Sequence, residues 1–195
     1  GLAAWAAVKG IQVVGTGDFT HPGWLRQIAE NLVPAESGFF RLKPQCCTVP
    51  EGVLPPGLQA DVSTIRFVLG AEISSIYKRG GQVRKVHNVL FAPDLASVRR
   101  INAVLAGIGN IESDGRPILG LDSRDLSEIF LEQAPDGFLV PAHIWTPLDH
   151  TEEALTLSIS QVLHEIVHAR FQGCGQTVTG VVMVFVRQRE EIEAF

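Results

Sequence analysis

The sequence predicts an α/β fold. Short apolar runs with strand character alternate with amphipathic helical stretches along the chain. Of its 195 residues, 46% are hydrophobic and 19% charged, enough to bury a sizeable core. Polar residues of the metal-ligand type recur beside the apolar runs, as they do at the strand ends where α/β folds place their chemistry. The simplest architecture with these features is a β/α barrel or an open sheet with its site on the C-terminal loops.

Residues 1–9 read as the end of a helix closed by Gly10, and 11–14 as a short buried strand entering a Gly15-Thr16-Gly17-Asp18 turn. A helix over 22–32 keeps Leu25, Ile28 and Leu32 on one face. Residues 33–61 carry Pro44, Pro50, Pro55 and Pro56 without a sustained period, which predicts a long irregular insertion. Two β-rich runs, 65–77 and 83–91, flank Lys78-Arg79-Gly80-Gly81 and predict a hairpin. Pro93-Asp94 starts a helix over 95–108, and 125–132 reads as another after a stretch rich in Gly, Asp and Arg at 107–124. Residues 138–142 form a short apolar strand that delivers His143 at its carboxyl end. Beyond Pro147, a helix-like stretch over 151–171, a strand over 178–186 and a charged end predict a divergent α+β tail at 148–195.

The net charge of −5 argues against coating nucleic acid by bulk positive charge, but not against an enzyme that grips DNA locally and neutralises its acidic residues with bound ions. The longest apolar runs, 65–70 and 181–186, fall far short of the roughly 20 residues that a membrane-spanning helix needs. With no secretory pattern at the start, a cytoplasmic location is expected. The three cysteines match neither a disulfide framework nor a zinc ribbon and read as free thiols. A glycine at position 1 and a lone methionine, Met183, read as a fragment.

Four segments set a ligand-type residue within or just past an apolar strand: VVGTGDFTH at 13–21, GAEIS at 70–74, KVHNV at 85–89 and VPAHIW at 140–145. Burying a carboxylate or an imidazole in such company is costly unless it is paired or bound to a metal. One histidine of this kind is more often a hydrogen-bonded core residue, but the recurrence favours a site for zinc, manganese or iron. Ser74 and Ser75 suggest no serine mechanism, because no G-x-S-x-G elbow surrounds them.

Longer stretches extend these segments: GIQVVGTGDFTHPGW at 10–24, GAEISSIYKRGGQVRKVHNVLFAPD at 70–94, GNIESDGRPILGLDSRDL at 109–126 and PAHIWTP at 141–147. Together they resemble the PHP (polymerase and histidinol phosphatase) superfamily, in its endonuclease Q-like, helicase-associated branch, over residues 1–147. The resemblance implies a partial, distorted β/α barrel with a multinuclear centre of divalent metal, zinc first and manganese or magnesium as alternatives. It also implies hydrolysis of phosphoesters, specifically nicking of DNA beside deaminated bases or abasic sites, in association with repair or helicase proteins. Position by position, Glu72 matches the carboxylate that bridges two metals, and His87 and His143 match the histidines on one of them. Asp18 and His21 match the turn that serves a third. The family's opening His-x-His and closing Asp-x-His motifs have no counterpart here, so the expectation includes an inactive chain.

Substrate contacts are expected from Asp114, Arg116 and Arg124 in the 109–124 loop, where arginine can pair bidentately with phosphate, and from Lys78, Arg84 and Lys85 at the hairpin. The alternative from another class is a DNA-binding remnant without catalysis. A third reading is a zinc protease built on His164-Glu165-Ile166-Val167-His168, which lacks a third ligand in the extended pattern.

Overall fold

The computed structural model describes residues 1–113 and 115–142. Asp114, His143, and the tail with its His164-to-His168 stretch lie outside the described residues. The elements run α1 (Leu2–Val8), β1 (Val13–Gly15), α2 (Pro22–Asn31), β2 (Leu32–Pro34), β3 (Phe40–Leu42), β4 (Arg66–Arg79), β5 (Gln82–Ala92), α3 (Leu95–Ala106), β6 (Ile118–Leu119), α4 (Ser123–Gln133) and β7 (Phe138–Ala142).

The strands form one mixed sheet with the path β2-β3-β4-β5-β7, antiparallel at every step, while β1 and β6 pair in parallel with β4. Among the described residues the sheet stays open, so the architecture is mixed α/β with a mainly antiparallel sheet. No helix of the described residues is long and apolar enough to cross a membrane.

The predicted hairpin is the spine of this sheet. Strand β4 pairs with β5 over eleven registered positions, from Leu69↔Ala92 to Arg79↔Gln82, and Gly80 and Gly81 take the left-handed turn that favours glycine. Strand alternation gives the spine two unlike faces. Leu69, Ala71, Ile73, Val86, Asn88, Leu90 and Ala92 share one face and are buried in the core. There Asn88 Nδ2 donates to Ser75 Oγ at 3.2 Å and to Ser123 Oγ at 3.0 Å, which pins the start of α4 to the sheet. Helix α3 is capped by Asp94, whose side chain accepts from the Ser97 amide at 2.7 Å. The opposite face of the spine carries Glu72, Ser74, His87, Val89 and Phe91. On that face Phe91 stacks on the exposed Phe138 of β7 at 4.7 Å. Gly137 lets β7 come this close, because a Cβ there would lie 2.8 Å from the Phe91 carbonyl oxygen.

Two expectations are corrected. Residues 33–61 are not wholly irregular: β2 and β3 form a hairpin there, and β3 joins the sheet through Phe40 opposite Phe67. The 107–124 stretch contains β6, which pairs with Ser74 and Ser75. Strands of two or three residues show no readable period; β1, β3 and β6 form against the edges of the 14-residue β4, and β2 forms against β3.

Candidate functional site

Strand β4 assembles the site along one of its edges. Thr16 donates its amide to the Val68 carbonyl, and its Oγ1 accepts from the Gly70 amide at 3.1 Å. Phe19 donates its amide to the Gly70 carbonyl. Further along the same edge, the Ser74 amide donates to the Pro117 carbonyl at 2.9 Å, where β6 begins. Glu72 lies between Gly70 and Ser74, and so between the loop that follows β1 and the chain that leads into β6.

The loop after β1 is built for rigidity. Gly17 and Asp18 both take positive φ, 64° and 40°, and Asp18 is the one non-glycine to do so among the described residues. Trp24 Nε1 donates to the carbonyls of Thr16 and Gly17, at 3.0 Å each. Phe19 is fully buried, an anchor of about 1.5–3 kcal/mol by burial of its ring. Its carbonyl accepts from Asn102 Nδ2 of α3 at 3.0 Å. The sequence separation of Asp18 from His21 now has a reason, since Phe19 between them plugs the core. His21 is the N-cap of α2, and its Nδ1 accepts from the Trp24 amide at 3.3 Å.

Glu72 and His87 stand on neighbouring strands, diagonal in the register that pairs Glu72 with Val89 and Ser74 with His87. Glu72 Oε1 lies 3.3 Å from His87 Nδ1. Arg116 brings Nη1 to within 2.8 Å of the same oxygen and 3.2 Å of the same ring nitrogen. Nη1 carries two N–H bonds; one is donated to the Glu72 carboxylate, and with the His87 proton on Nε2 the other can go to His87 Nδ1, so that both groups converge on one cationic nitrogen. Asp18 belongs to the same neighbourhood. Burial first, and then the charge of Glu72, raises its carboxyl above the ordinary value, against the opposing pull of His21 and Arg116.

The expected metal-ligand set is not assembled among the described residues. No group of three or more His, Cys, Asp or Glu side chains there is placed to hold a metal ion. Glu72 and His87 meet, Asp18 stands within their electrostatic reach, His21 caps a helix, and His143 lies outside the described residues. Nor is the described site confined to C-terminal loops, because Glu72 and His87 sit within strands of the hairpin. The donor chemistry still fits a divalent cation: a carboxylate oxygen and an imidazole nitrogen already sit against one positive charge, and Asp18 adds a carboxyl that a cation would help to ionise.

Strand alternation sets Lys78 and Lys85 on the same face as Glu72 and His87, while Arg79 and Arg84 fall on the other. There Arg79 pairs with Asp122, the N-cap of α4, at 3.6 Å. Arg124 is in the first turn of α4 and pairs with Glu128 at 3.0 Å. Asp114 lies outside the described residues. What sequence reasoning missed is the contact of Arg116 with Glu72 and His87. It spans 44 residues and leaves no local pattern, although the loop carrying Arg116 was readable as functional.

A cavity of about 430 Å³ between α1, α2 and β3 is lined by Leu2, Trp24, Asn31, Cys46 and other side chains, none of them charged. It carries no charged side chain, whereas the open face around Glu72 carries a carboxylate, an imidazole and a guanidinium.

No family model matches this chain, and no curated protein does. Two solved structures are similar to it. The crystal structure of endonuclease Q in complex with a 27-mer duplex substrate bearing an abasic lesion at its active site aligns with 27% identity and a TM-score of 0.55, over 79% of this chain and 34% of that one. The lesion-specific endonuclease PfuEndoQ from Pyrococcus furiosus aligns with 27% identity and a TM-score of 0.53, over 77% of this chain and 32% of that one. The chain thus spans about a third of the length of each structure, and its likeness is to endonuclease Q.

Proposed function

We propose that this chain carries part of the active site of a metal-dependent DNA phosphodiesterase of the PHP superfamily, one that nicks duplex DNA beside a deaminated base or an abasic site. The convergence of Glu72 and His87 on one cation carries this reading, within a chain whose solved neighbours are lesion-directed endonucleases. The distorted barrel and the multinuclear centre belong to the same proposal and rest on the motif resemblance.

Glu72 and His87 would hold a divalent ion, zinc first with manganese or magnesium as alternatives, together with Asp18, His21 and His143 from the motif match. Such an ion supplies Lewis acidity at the phosphoryl oxygen. The protein's own residues do the positioning. The Nε and Nη2 donors of Arg116 have no partner among the described residues and can take two oxygens of one phosphate in the planar geometry that guanidinium favours. Lys78 and Lys85 extend the positive edge along the same face, where a DNA backbone can run. Asp114 and Arg124 complete the proposed contact set, while Arg84, on the opposite face of the hairpin, falls outside it. The β1 loop, anchored by the buried Phe19 and by Trp24, would present Asp18 to the cluster.

The test is nicking of duplexes that carry uracil, hypoxanthine or an abasic site, by the purified chain, with Mn²⁺ or Zn²⁺ and with a chelator. Strand breaks at the lesion that the chelator stops are the expected result, and breaks that ignore the chelator overturn the metal part of the reading. A second reading, DNA binding without cleavage, is favoured by the place of Arg116 at the site's cation position. Salt-dependent binding with no nicking at any metal concentration selects it.

A further inference from the structure

We propose that Arg116 is a built-in counter-cation that competes with the divalent ion for Glu72 and His87, so that metal loading requires its guanidinium to leave. The inference rests on the metal reading above and adds to it a residue that opposes loading.

The geometry supplies the competition. One nitrogen of Arg116 contacts both the Glu72 oxygen and the His87 nitrogen that a metal would use, at 2.8 Å and 3.2 Å. A metal ion bound to the same two atoms would stand closer to them than Nη1 does, and would occupy the space Nη1 fills. Arginine cannot escape the conflict by losing its proton, because guanidinium stays charged at any working pH. The side chain therefore has to move.

The local fold lets it move alone. Gly115 turns the chain with φ 74°, Pro117 locks the next position, and the Pro117 carbonyl is held by the Ser74 amide. The backbone at Arg116 is fixed by the pairing of β6 with β4, not by the guanidinium contact. The side chain is 33% exposed, so departure from Glu72 leads to solvent on the face where a phosphate would lie.

Titration of the full chain with Mn²⁺, followed by loss of the free-ion paramagnetic resonance signal, tests the idea without reference to activity. Mn²⁺ suits carboxylate and imidazole and leaves the thiols of Cys46 and Cys47 alone. Arg116→Ala is expected to tighten Mn²⁺ binding by about tenfold or more, because one resident charge no longer opposes it. Arg116→Gln, which keeps a hydrogen-bonding head without the charge, is expected to shift affinity the same way and guards against misfolding of the alanine variant. Unchanged or weaker binding in both variants overturns the competition. Absence of Mn²⁺ binding in the parent and in both variants overturns the metal reading together with it. Glu72→Gln is expected to abolish the site, and undiminished binding in that variant means that the ion sits elsewhere and also overturns the inference.

Discussion

Arg66 and Glu36 meet through two hydrogen bonds, of 2.7 and 2.9 Å, at the exposed start of β4, whereas Arg116 meets Glu72 through a single nitrogen that His87 shares. The first pair is closed. Its two side chains match fork to fork, Arg66 Nη1 also donates to the carbonyls of Ser63 and Thr64, and the Glu36 carboxyl is held down to about 2 by its arginine. It straps the β2–β3 loop to the sheet. The second pair is open. Arg116 keeps Nε and Nη2 without partners among the described residues, and a raised Asp18 stands close by. The same two residue types make a fastener where their donors are matched, and a site where donors are left over and a third group intrudes.

Substituting each glutamate by glutamine breaks the comparison most sharply. Glu72→Gln removes the charge that holds a cation and is expected to lower lesion nicking by about 10²–10³-fold. Glu36→Gln is expected to leave nicking unchanged, since its pair lies at the start of β4, six residues along the strand from Glu72. Equal losses in the two variants would mean that the open pair acts only through stability. Rates on an abasic duplex, beside melting temperatures of both variants, decide between these outcomes.

This contrast was only half legible in the sequence. The β4–β5 hairpin could be read because 14 and 11 residues are long enough to show period two, and its turn is spelled by Gly80-Gly81. Helix α3 announced itself by Asp94, and Glu72 and His87 stood out as ligand types inside apolar runs. Neither arginine pair was foreseen, because Glu36 and Arg66 are 30 residues apart and Glu72 and Arg116 are 44 apart, distances over which no period speaks. Both contacts depend on short strands: β2 and β3 bring Glu36 to β4, and β6 brings Arg116 to Glu72. Their existence is a property of the sheet edge that receives them. The barrel expectation came from motif resemblance and from alternating elements, and alternation alone does not distinguish a parallel sheet from the mainly antiparallel one described.

A double-mutant cycle measures the two pairs on one scale. For Arg116 and Glu72, partly buried and charge-assisted, chemical unfolding of the metal-free chain is expected to give a coupling of about 1–2 kcal/mol. The Arg66–Glu36 coupling is expected to be smaller, because solvent screens a pair at the surface. A surface coupling that exceeds the site coupling would reverse the assignment of fastener and site.

Acidity separates the regions by sign. The Asp18 carboxyl is raised above its unfolded value of 3.8, chiefly by burial, so the fold favours its protonated form. That contribution is fully present below the unfolded value and is lost as pH rises through the folded one. At neutral pH the ionised group therefore opposes folding of the metal-free chain. Asp18→Asn, which tolerates the same left-handed backbone, is expected to raise the melting temperature by roughly 2–4 °C at pH 7 and to have no effect at pH 3. A lower melting temperature at pH 7 would show that the carboxylate is already satisfied.

Glu36 should behave in the opposite sense and with the smallest amplitude. Its carboxyl is depressed from 4.5 to about 2, first by the hydrogen bond from Arg66, so the pair contributes at every pH above the unfolded value. The contribution then falls away as pH drops through about 2. Glu36→Gln is expected to lower the melting temperature slightly at pH 7, with the difference from the parent vanishing near pH 2. Because the pair is exposed, molar salt should shrink the same difference at neutral pH, where the Debye length falls to about 3 Å. The Arg116–Glu72 contact, half-buried against His87, should keep most of its coupling under that salt. If salt weakens both pairs equally, burial does not separate them, and the distinction between a closed strap and an open site would rest on geometry alone.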